Sequence, residues 1–343
     1  MGFLYWLLPL VFLCSFVGTW MLRRYAVSRH LLDVPNERSS HQVPTPRGGG
    51  VAVVATFLAG LPVLAVMGAI SYHAALALWV SGAVVAAIGW LDDHGHVAAR
   101  WRLLKHFGAA AWLLYWLNGL APVTLFGFWI DFGWTGHIFT AFYLVWMLNL
   151  YNFMDGIDGI AGVQALTVGL GCVFIYGLLG EPGLMALPLL LCASVAGFLA
   201  WNFPPARIFM GDAGSGFLGF MIGALSLHAA WPVPEMLWSW QILMGVFIID
   251  ATFTLIRRLC NGEKAHEAHR THAYQYASRY YGSHRAVTLR VLAINVLWLL
   301  PLATLVALEW LDGPLAVLIA YTPLILLAVR FNAGRPESEV GEG

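Results

Sequence analysis

Apolar residues in this chain fall in long blocks separated by short polar segments. A block of about 20 mostly apolar residues is the length an α-helix needs to cross a bilayer. Reading for such blocks predicts spans at 3–22, 50–70, 74–91, 106–125, 137–153, 160–179, 184–201, 215–231, 237–256, 286–308 and 313–330. The pattern therefore predicts an all-α, polytopic membrane protein of about eleven transmembrane helices. The first block has no basic residue before it and no clear cleavage site, so it is expected to be a span and not a removed signal peptide. Arg23 and Arg24 follow it, which places the N-terminus outside.

Charge tests that arrangement. If alternate connections face inward, all 18 Lys and Arg residues fall in the inward segments 23–49, 92–105, 202–214, 257–285 and 331–343, or at the adjoining span ends in the case of Arg290 and Arg330. The outward connections hold only acids: Asp131, Glu181, Glu235, Glu309 and Asp312. A wrong number of spans would scatter the basic residues, so the one-sided distribution supports the count and puts the polar loops on the cytoplasmic face. The expected location is a membrane crossed many times, with the polar loops on its inner side. Residues 1–330 read as a single integral-membrane domain and 331–343 as a polar, disordered cytoplasmic tail. The longest inward loop, 257–285, is too short for a core of its own. No internal repeat is visible.

Composition excludes several function classes. The chain is 60% hydrophobic and 10% charged, against about 25% charged for an average soluble protein. An ordinary cytoplasmic enzyme and a disordered chain are both excluded. A net charge of zero excludes a basic nucleic-acid binder. Cys14, Cys172, Cys192 and Cys260 form neither a disulfide framework nor a CxxC metal motif and read as small fillers.

Charged groups at a membrane edge are costly, so their clustering is informative. Three acidic motifs lie at inward span ends and can converge. Gly89-Trp90-Leu91-Asp92-Asp93 places two adjacent carboxylates where repulsion would be relieved by a divalent cation; a solvated acidic helix end is the plain alternative. Asn149-Leu150-Tyr151-Asn152-Phe153-Met154-Asp155-Gly156-Ile157-Asp158-Gly159 spaces two acids, and two amides, to share a face if helical. These are hard oxygen ligands, suited to Mg2+ or to a ribose and base. Asn202 through Gly216 contains Phe209 and then Asp212 ahead of a small-residue helix start, whose free N–H groups could hold phosphate oxygens beside a metal on Asp212. Within it Gly214–Gly219 matches GxGxxG, but no strand precedes it and the helix enters the membrane, so a dinucleotide site is rejected. Gly219 and Gly223 read as helix-packing residues.

The long basic loop carries His266, His269, Arg270 and His272. Phosphate donors, a zinc site and a solvated loop are all open for it. The first inward loop ends in Thr45-Pro46-Arg47-Gly48-Gly49-Gly50, a combination suited to an anion. Lys105 is a further candidate, with snorkelling as its plain alternative. Asp250, inside the ninth block, is expected to pair with Arg257 or Arg258 if it is structural. Acids, a divalent cation and basic donors together describe a diphosphate site. Its place at the membrane edge implies one lipid and one cytosolic substrate, joined by phosphoryl transfer.

These motifs together resemble the polyprenyl-phosphate N-acetylhexosamine-1-phosphate transferases, over about residues 30–285. NFMDGIDG and ARIFMGDAGS are the specific stretches; DVPNERSSHQVPTPRGGG and HRTHAYQ look most like the branch that initiates O-antigen. The resemblance implies transfer of sugar 1-phosphate from a UDP-N-acetyl sugar to undecaprenyl phosphate, with release of UMP, for O-antigen, lipopolysaccharide or a related cell-surface polysaccharide. It implies Mg2+, with Mn2+ as the alternative, held by Asp212 and Asp155. Asp92 and Asp93 match acids that engage the lipid phosphate and could accept its proton. Asp155 and Asp158 match the turn lining the nucleoside site, with Asn152 in the same stretch. Phe209 matches an aromatic that stacks on uracil, and Asn202 a polar residue near it. His269, Arg270 and His272 fall at the family's histidine motif; Arg47 and Lys105 are expected near substrate. His96 stands where one branch has a third acid, and Arg270 and Thr271 interrupt the histidine pair, so GlcNAc, FucNAc, QuiNAc and GalNAc all stay open as the sugar. A homodimer is compatible with the sequence. The rival readings are a secondary transporter, a CDP-alcohol phosphotransferase or lipid phosphatase, and a non-catalytic component of polysaccharide assembly. The first expects acids at the bilayer midplane, and the second a DG…AR…G…D…D pattern that is absent.

Overall fold

The structure is a computed structural model describing residues 2–29, 31–34, 43–95, 97–263 and 270–336. Its helices are α1 (Leu4–Ser28), α2 (Gly50–Val66), α3 (Tyr72–His94), α4 (Ala99–Trp116), α5 (Gly133–Met154), α6 (Ile160–Leu179), α7 (Ala186–Asn202), α8 (Asp212–Ala230), α9 (Met236–Leu243), α10 (Gly245–Cys260), α11 (Ala273–Tyr281), α12 (His284–Ile294), α13 (Leu300–Ala307) and α14 (Gly313–Arg330). The described strands make two short antiparallel hairpins, β1 (Leu32–Asp33) with β2 (Thr45–Pro46) and β3 (Val123–Leu125) with β4 (Phe128–Ile130). The protein is an all-α polytopic membrane protein, and every predicted apolar block holds a helix, although 106–125 is helical only to Trp116 and ends in β3.

Among the described residues seven helical segments are long and apolar enough to cross a membrane, and α9 with α10 make an eighth if counted as one span. The hydropathy pattern predicts about eleven spans. The difference lies in three helices: α2 is apolar but only 17 residues long, α4 opens with Arg100, Arg102 and Lys105, and α5 is diluted by His137, Thr140, Asn149 and Asn152. The predicted ninth span is also not straight. α9 and α10 meet at 68°. A bend frees backbone groups that need partners inside a membrane. Gln164 Nε2 donates to the Leu243 carbonyl at the break, 3.1 Å away, and Asn295 Nδ2 in turn holds Gln164 Oε1 at 2.7 Å. Asn295 itself opens a π-helical turn, Asn295–Leu299, that joins α12 to α13.

α8 is the axis of the bundle, 94% buried along its span, whereas α1 is 22% buried and presents Tyr5, Trp6 and Leu10 outward. α8 packs on α2, α3, α5 and α9. A Cβ at Gly219 would collide with the Met147 carbonyl of α5, so the glycine lets the two backbones touch, as expected of a packing residue. The segment after α14 does not hang free: Gly334 N–H donates to the Thr271 carbonyl at 2.7 Å and Tyr276 Oη to the Arg335 carbonyl at 2.7 Å. The rest of the predicted tail, from 337, lies outside the described residues.

Candidate active site

The loops after β2, α3, α5 and α7 meet at one end of the bundle. Residues 46–50 run alongside 209–210: Phe209 N–H donates to the Pro46 carbonyl at 2.8 Å, and Gly49 N–H returns a bond to the Phe209 carbonyl at 2.9 Å. This pairing brings Arg47 over the start of α8. There its guanidinium lies 2.9 Å from Asp93 Oδ1 and also pairs with Asp212. Burial alone would lower the Arg47 pKa; the charges of Asp212, Asp93, Asp33 and Asp155 outweigh it and hold the group more basic than usual.

Asp92 and Asp93 diverge, so the two acids do not act as one repelling pair awaiting a cation. Asp93 Oδ1 accepts the Asp212 N–H at 3.1 Å and Oδ2 the Ala213 N–H at 3.2 Å. It caps α8. The next two amides, of Gly214 and Ser215, both donate to the Gly211 carbonyl at 3.0 Å. The predicted phosphate cradle at this helix start is therefore filled from within: a carboxylate of the chain itself satisfies the orphan amides that an anion would otherwise seek. Asp92 turns the other way, pairing with Arg102 of α4 and accepting the Val97 N–H at 3.1 Å.

The second acidic motif divides in the same manner. Residues 155–159 form a turn between α5 and α6, as two Asp-Gly pairs favour, so the shared face that a helix would give Asp155 and Asp158 does not arise. Asp158 Oδ2 accepts the Ala206 N–H at 2.9 Å, and Oδ1 lies 3.1 Å from His284 Nδ1. Among the described residues no donor reaches the Asp155 carboxylate. Burial, with the charges of Asp212, Asp93 and Asp158 and against the pull of Arg47, pushes its carboxyl well above the usual range. The adjoining Gly156 is required by close approach, because a Cβ there would strike the Tyr274 hydroxyl, which donates to the Phe153 carbonyl at 3.0 Å.

Two chambers meet at Asn152, Asp155, Gly156, Asp212 and Gln275. The smaller, about 250 Å³, adds Arg47, Asp158, Asn202, Phe209 and His284. The larger, about 640 Å³, adds Asp92, Arg102, His106 and His272, and reaches apolar Val85, Ile88, Leu103 and Leu148. An outer basin of about 830 Å³ continues from Phe209, Asp158 and His284 to Arg270, Arg279 and Arg285.

Most of the sequence candidates are thus brought together, with corrections. Asn202 lines the smaller chamber, but its amide is engaged at both ends, accepting the Gly159 N–H and donating to the Ile208 carbonyl, each at 3.0 Å. Lys105 is exposed on α4 and lines none of these chambers. Arg102 and His106, four residues apart, form the inward stripe, and Lys105 is turned about 100° from His106. Arg270 and His272 part company. Arg270 faces the outer basin, while buried His272 caps α11 with its ring 3.2 Å from Asp250 Oδ1. Asp250 also accepts the Ala273 and Tyr274 N–H groups at 2.9 Å. It does not pair with Arg258, which binds Glu263, or with Arg257, which donates to the Ala333 carbonyl. His96, His266 and His269 lie outside the described residues. The sequence reading missed Arg102 as the partner of Asp92 and His284 as the clasp on Asp158; the first was signalled only by lying ten positions after its acid, and the second by nothing local.

Among the described residues no group of three or more His, Cys, Asp or Glu side chains is arranged to hold a metal ion. Mg2+ does not need one, since it is commonly bound by one or two carboxylates, waters and substrate phosphates. Asp155, unpartnered by a donor and surrounded by carboxylates, and Asp212 beside it fit such an ion, with Arg47 now supplying the positive charge at Asp212.

The profile of glycosyl transferase family 4 matches residues 75–230. The chain is similar to a probable undecaprenyl-phosphate N-acetylglucosaminyl 1-phosphate transferase of Bacillus subtilis (strain 168), 32% identical over 81% of this chain and 78% of that protein. The chain belongs to the polyprenyl-phosphate N-acetylglucosamine-1-phosphate transferase family. It is also similar to a decaprenyl-phosphate N-acetylglucosaminephosphotransferase of Mycobacterium leprae (strain TN), 31% identical over 75% of this chain and 72% of that one. A phospho-N-acetylmuramoyl-pentapeptide-transferase of Synechococcus elongatus is 28% identical over 71% and 70% of the respective chains. This is a family of phosphosugar transferases. The matched region runs from α3 to α8 and so holds Asp92, Asp93, Asp155, Asp158, Phe209 and Asp212, while Arg47, His272 and His284 come to the two chambers from outside it.

Proposed function

We propose that this protein transfers an N-acetylated sugar 1-phosphate from a UDP-sugar to undecaprenyl phosphate, at the cytoplasmic face of a bacterial inner membrane, and so initiates O-antigen or a related surface polysaccharide. The observation that carries the reading is the junction of two unlike chambers at Asp155 and Asp212. The smaller chamber has Phe209 as a flat apolar surface and Arg47 as a cation, which suits a nucleoside diphosphate. The larger combines Arg102 and His106 with apolar side chains, which suits a phosphate at the end of a lipid chain. An oxygen of the lipid phosphate attacks the phosphorus that bears the sugar. That P–O bond forms as the bond to UMP breaks. A phosphate monoester has a second pKa of about 6, so the nucleophile is already largely ionised near neutrality and Asp92 need not act as a base. Asp155 and Asp212 would hold Mg2+, which supplies positive charge to the diphosphate as charge moves to the leaving UMP. The chain's own part is positioning: Arg47 and Arg102 keep two anionic substrates adjacent that would otherwise repel.

The deciding experiment is nucleotide release by purified protein in detergent with undecaprenyl phosphate, Mg2+ and each UDP-N-acetyl sugar in turn. UMP formed only when lipid and metal are both present is the expected result, and the fastest donor names the sugar. UDP as the product would overturn the mechanism, and no nucleotide from any donor would favour a transporter or a non-catalytic assembly component. Phe209→Ala is expected to raise KM for the donor with little change in kcat; an unchanged KM removes Phe209 from the nucleoside site.

A further inference from the structure

A cavity among the described residues lies apart from the chambers of the proposed transfer. An apolar pocket of about 150 Å³ lies between α10, α11, α12 and α14, walled by Ile249, Val291, Ile294, Leu324 and Leu327. It opens toward the bilayer and not toward protein: α14 and the run through α12 and α13 are each only 28% buried along their spans, and Leu327 is 40% exposed. Its inner wall is Tyr274, whose other side lines the larger reaction chamber. At the mouth the Arg290 guanidinium lies 3.8 Å from the centre of the Tyr281 ring and donates to the Ala286 carbonyl at 2.9 Å. Among the described residues no carboxylate pairs with it. The slot is also lined by Asp250, whose carboxylate is already engaged by the Ala273 and Tyr274 amides, so its mouth presents a fixed cation without a carboxylate partner, complementary to an amphiphile of opposite charge.

We propose that this pocket binds an acyl chain of an anionic phospholipid from the surrounding bilayer, with the headgroup phosphate on Arg290. The substrate lipid is a poor occupant. Its phosphate would sit at Arg290, with the Tyr274 wall between it and Asp155. A bilayer already solvates an acyl chain, so seating the chain discriminates little and selection rests on the headgroup charge. Occupancy braces the outer side of the wall that Tyr274 presents to the reaction chamber.

The test is lipid retention by the full chain, which does not depend on the transfer reading. Protein purified in detergent is equilibrated with equal amounts of phosphatidylglycerol and phosphatidylcholine, and the lipid carried per protein is counted by native mass spectrometry. The wild type should enrich phosphatidylglycerol about fivefold, the factor one membrane-edge arginine is expected to give. Arg290→Gln, at an exposed position, should abolish the preference. Leu327→Trp, which fills the slot from its lipid-facing side, should lower the amount retained. Equal retention of the two lipids by the wild type, or undiminished enrichment in Arg290→Gln, would overturn the proposal. So would polyprenyl phosphate displacing phosphatidylglycerol from the wild type but not from Leu327→Trp.

Discussion

Asp92–Asp93 and Asp155–Asp158 are both acid pairs at helix ends, and each divides its labour. Asp93, with a side chain 7% exposed, pins the first amides of α8; Asp158, 14% exposed, pins the Ala206 amide and the His284 ring. Their companions face the chambers. The difference between those companions is instructive. Asp92 arrives already neutralised by Arg102, whereas no described donor reaches Asp155. One pair offers a cation–carboxylate couple for an incoming phosphate. The other leaves a shortage of positive charge that a metal would fill.

The largest effect should fall on Asp155. Burial already favours its neutral form, so Asp155→Asn should leave folding intact while lowering turnover by at least about a hundredfold, if the charge is needed to hold the cation that stabilises the leaving group. Near-normal UMP release would erase the contrast. Asp93→Ala should act in the opposite sense: loss of the cap that satisfies the first two amides of α8 costs about 2 kcal/mol, read as a lowered unfolding midpoint in detergent. Asp93→Asn, which keeps an acceptor oxygen, should recover part of that stability. If both variants unfold like wild type, Asp93 is not a pin. Asp92→Asn should alter stability by less than about 1 kcal/mol, because its pair with Arg102 is partly exposed. It should still lower kcat/KM for the lipid about tenfold. Lys105→Gln, on the outward side of α4, should change neither quantity by more than about twofold; a larger loss of lipid affinity would bring Lys105 back into the site.

The sequence made the helices legible because about 20 apolar residues in a row have few other fates in a lipid solvent. It made the convergence of Asp92, Asp155 and Asp212 legible because charge sidedness placed their loops together. It did not disclose which acid of each pair is pinned, since that depends on distant amides, the Asp212 N–H 119 positions from Asp93 and the Ala206 N–H 48 positions from Asp158. The phosphate reading of the helix start at Asp212 failed for the same reason, as the distant Asp93 carboxylate reached the Asp212 and Ala213 amides first. The bend between α9 and α10 was equally hidden. Gly245 at the break is a weak mark within the block 237–256, and the groups that satisfy the bend, Gln164 and Asn295, sit on other helices.

The cap on α8 also sets an order of events at the ribosome. Asp93 is made 119 residues before the amide it binds. At about 5–20 residues per second, that carboxylate waits on the order of ten seconds for α8 to be synthesised. Arg47 lies upstream of both and exists throughout the interval. The backbone bonds that hold Arg47 over Asp93 run to Phe209 and Met210, so the arginine too is fixed in place only as the start of the central helix is made.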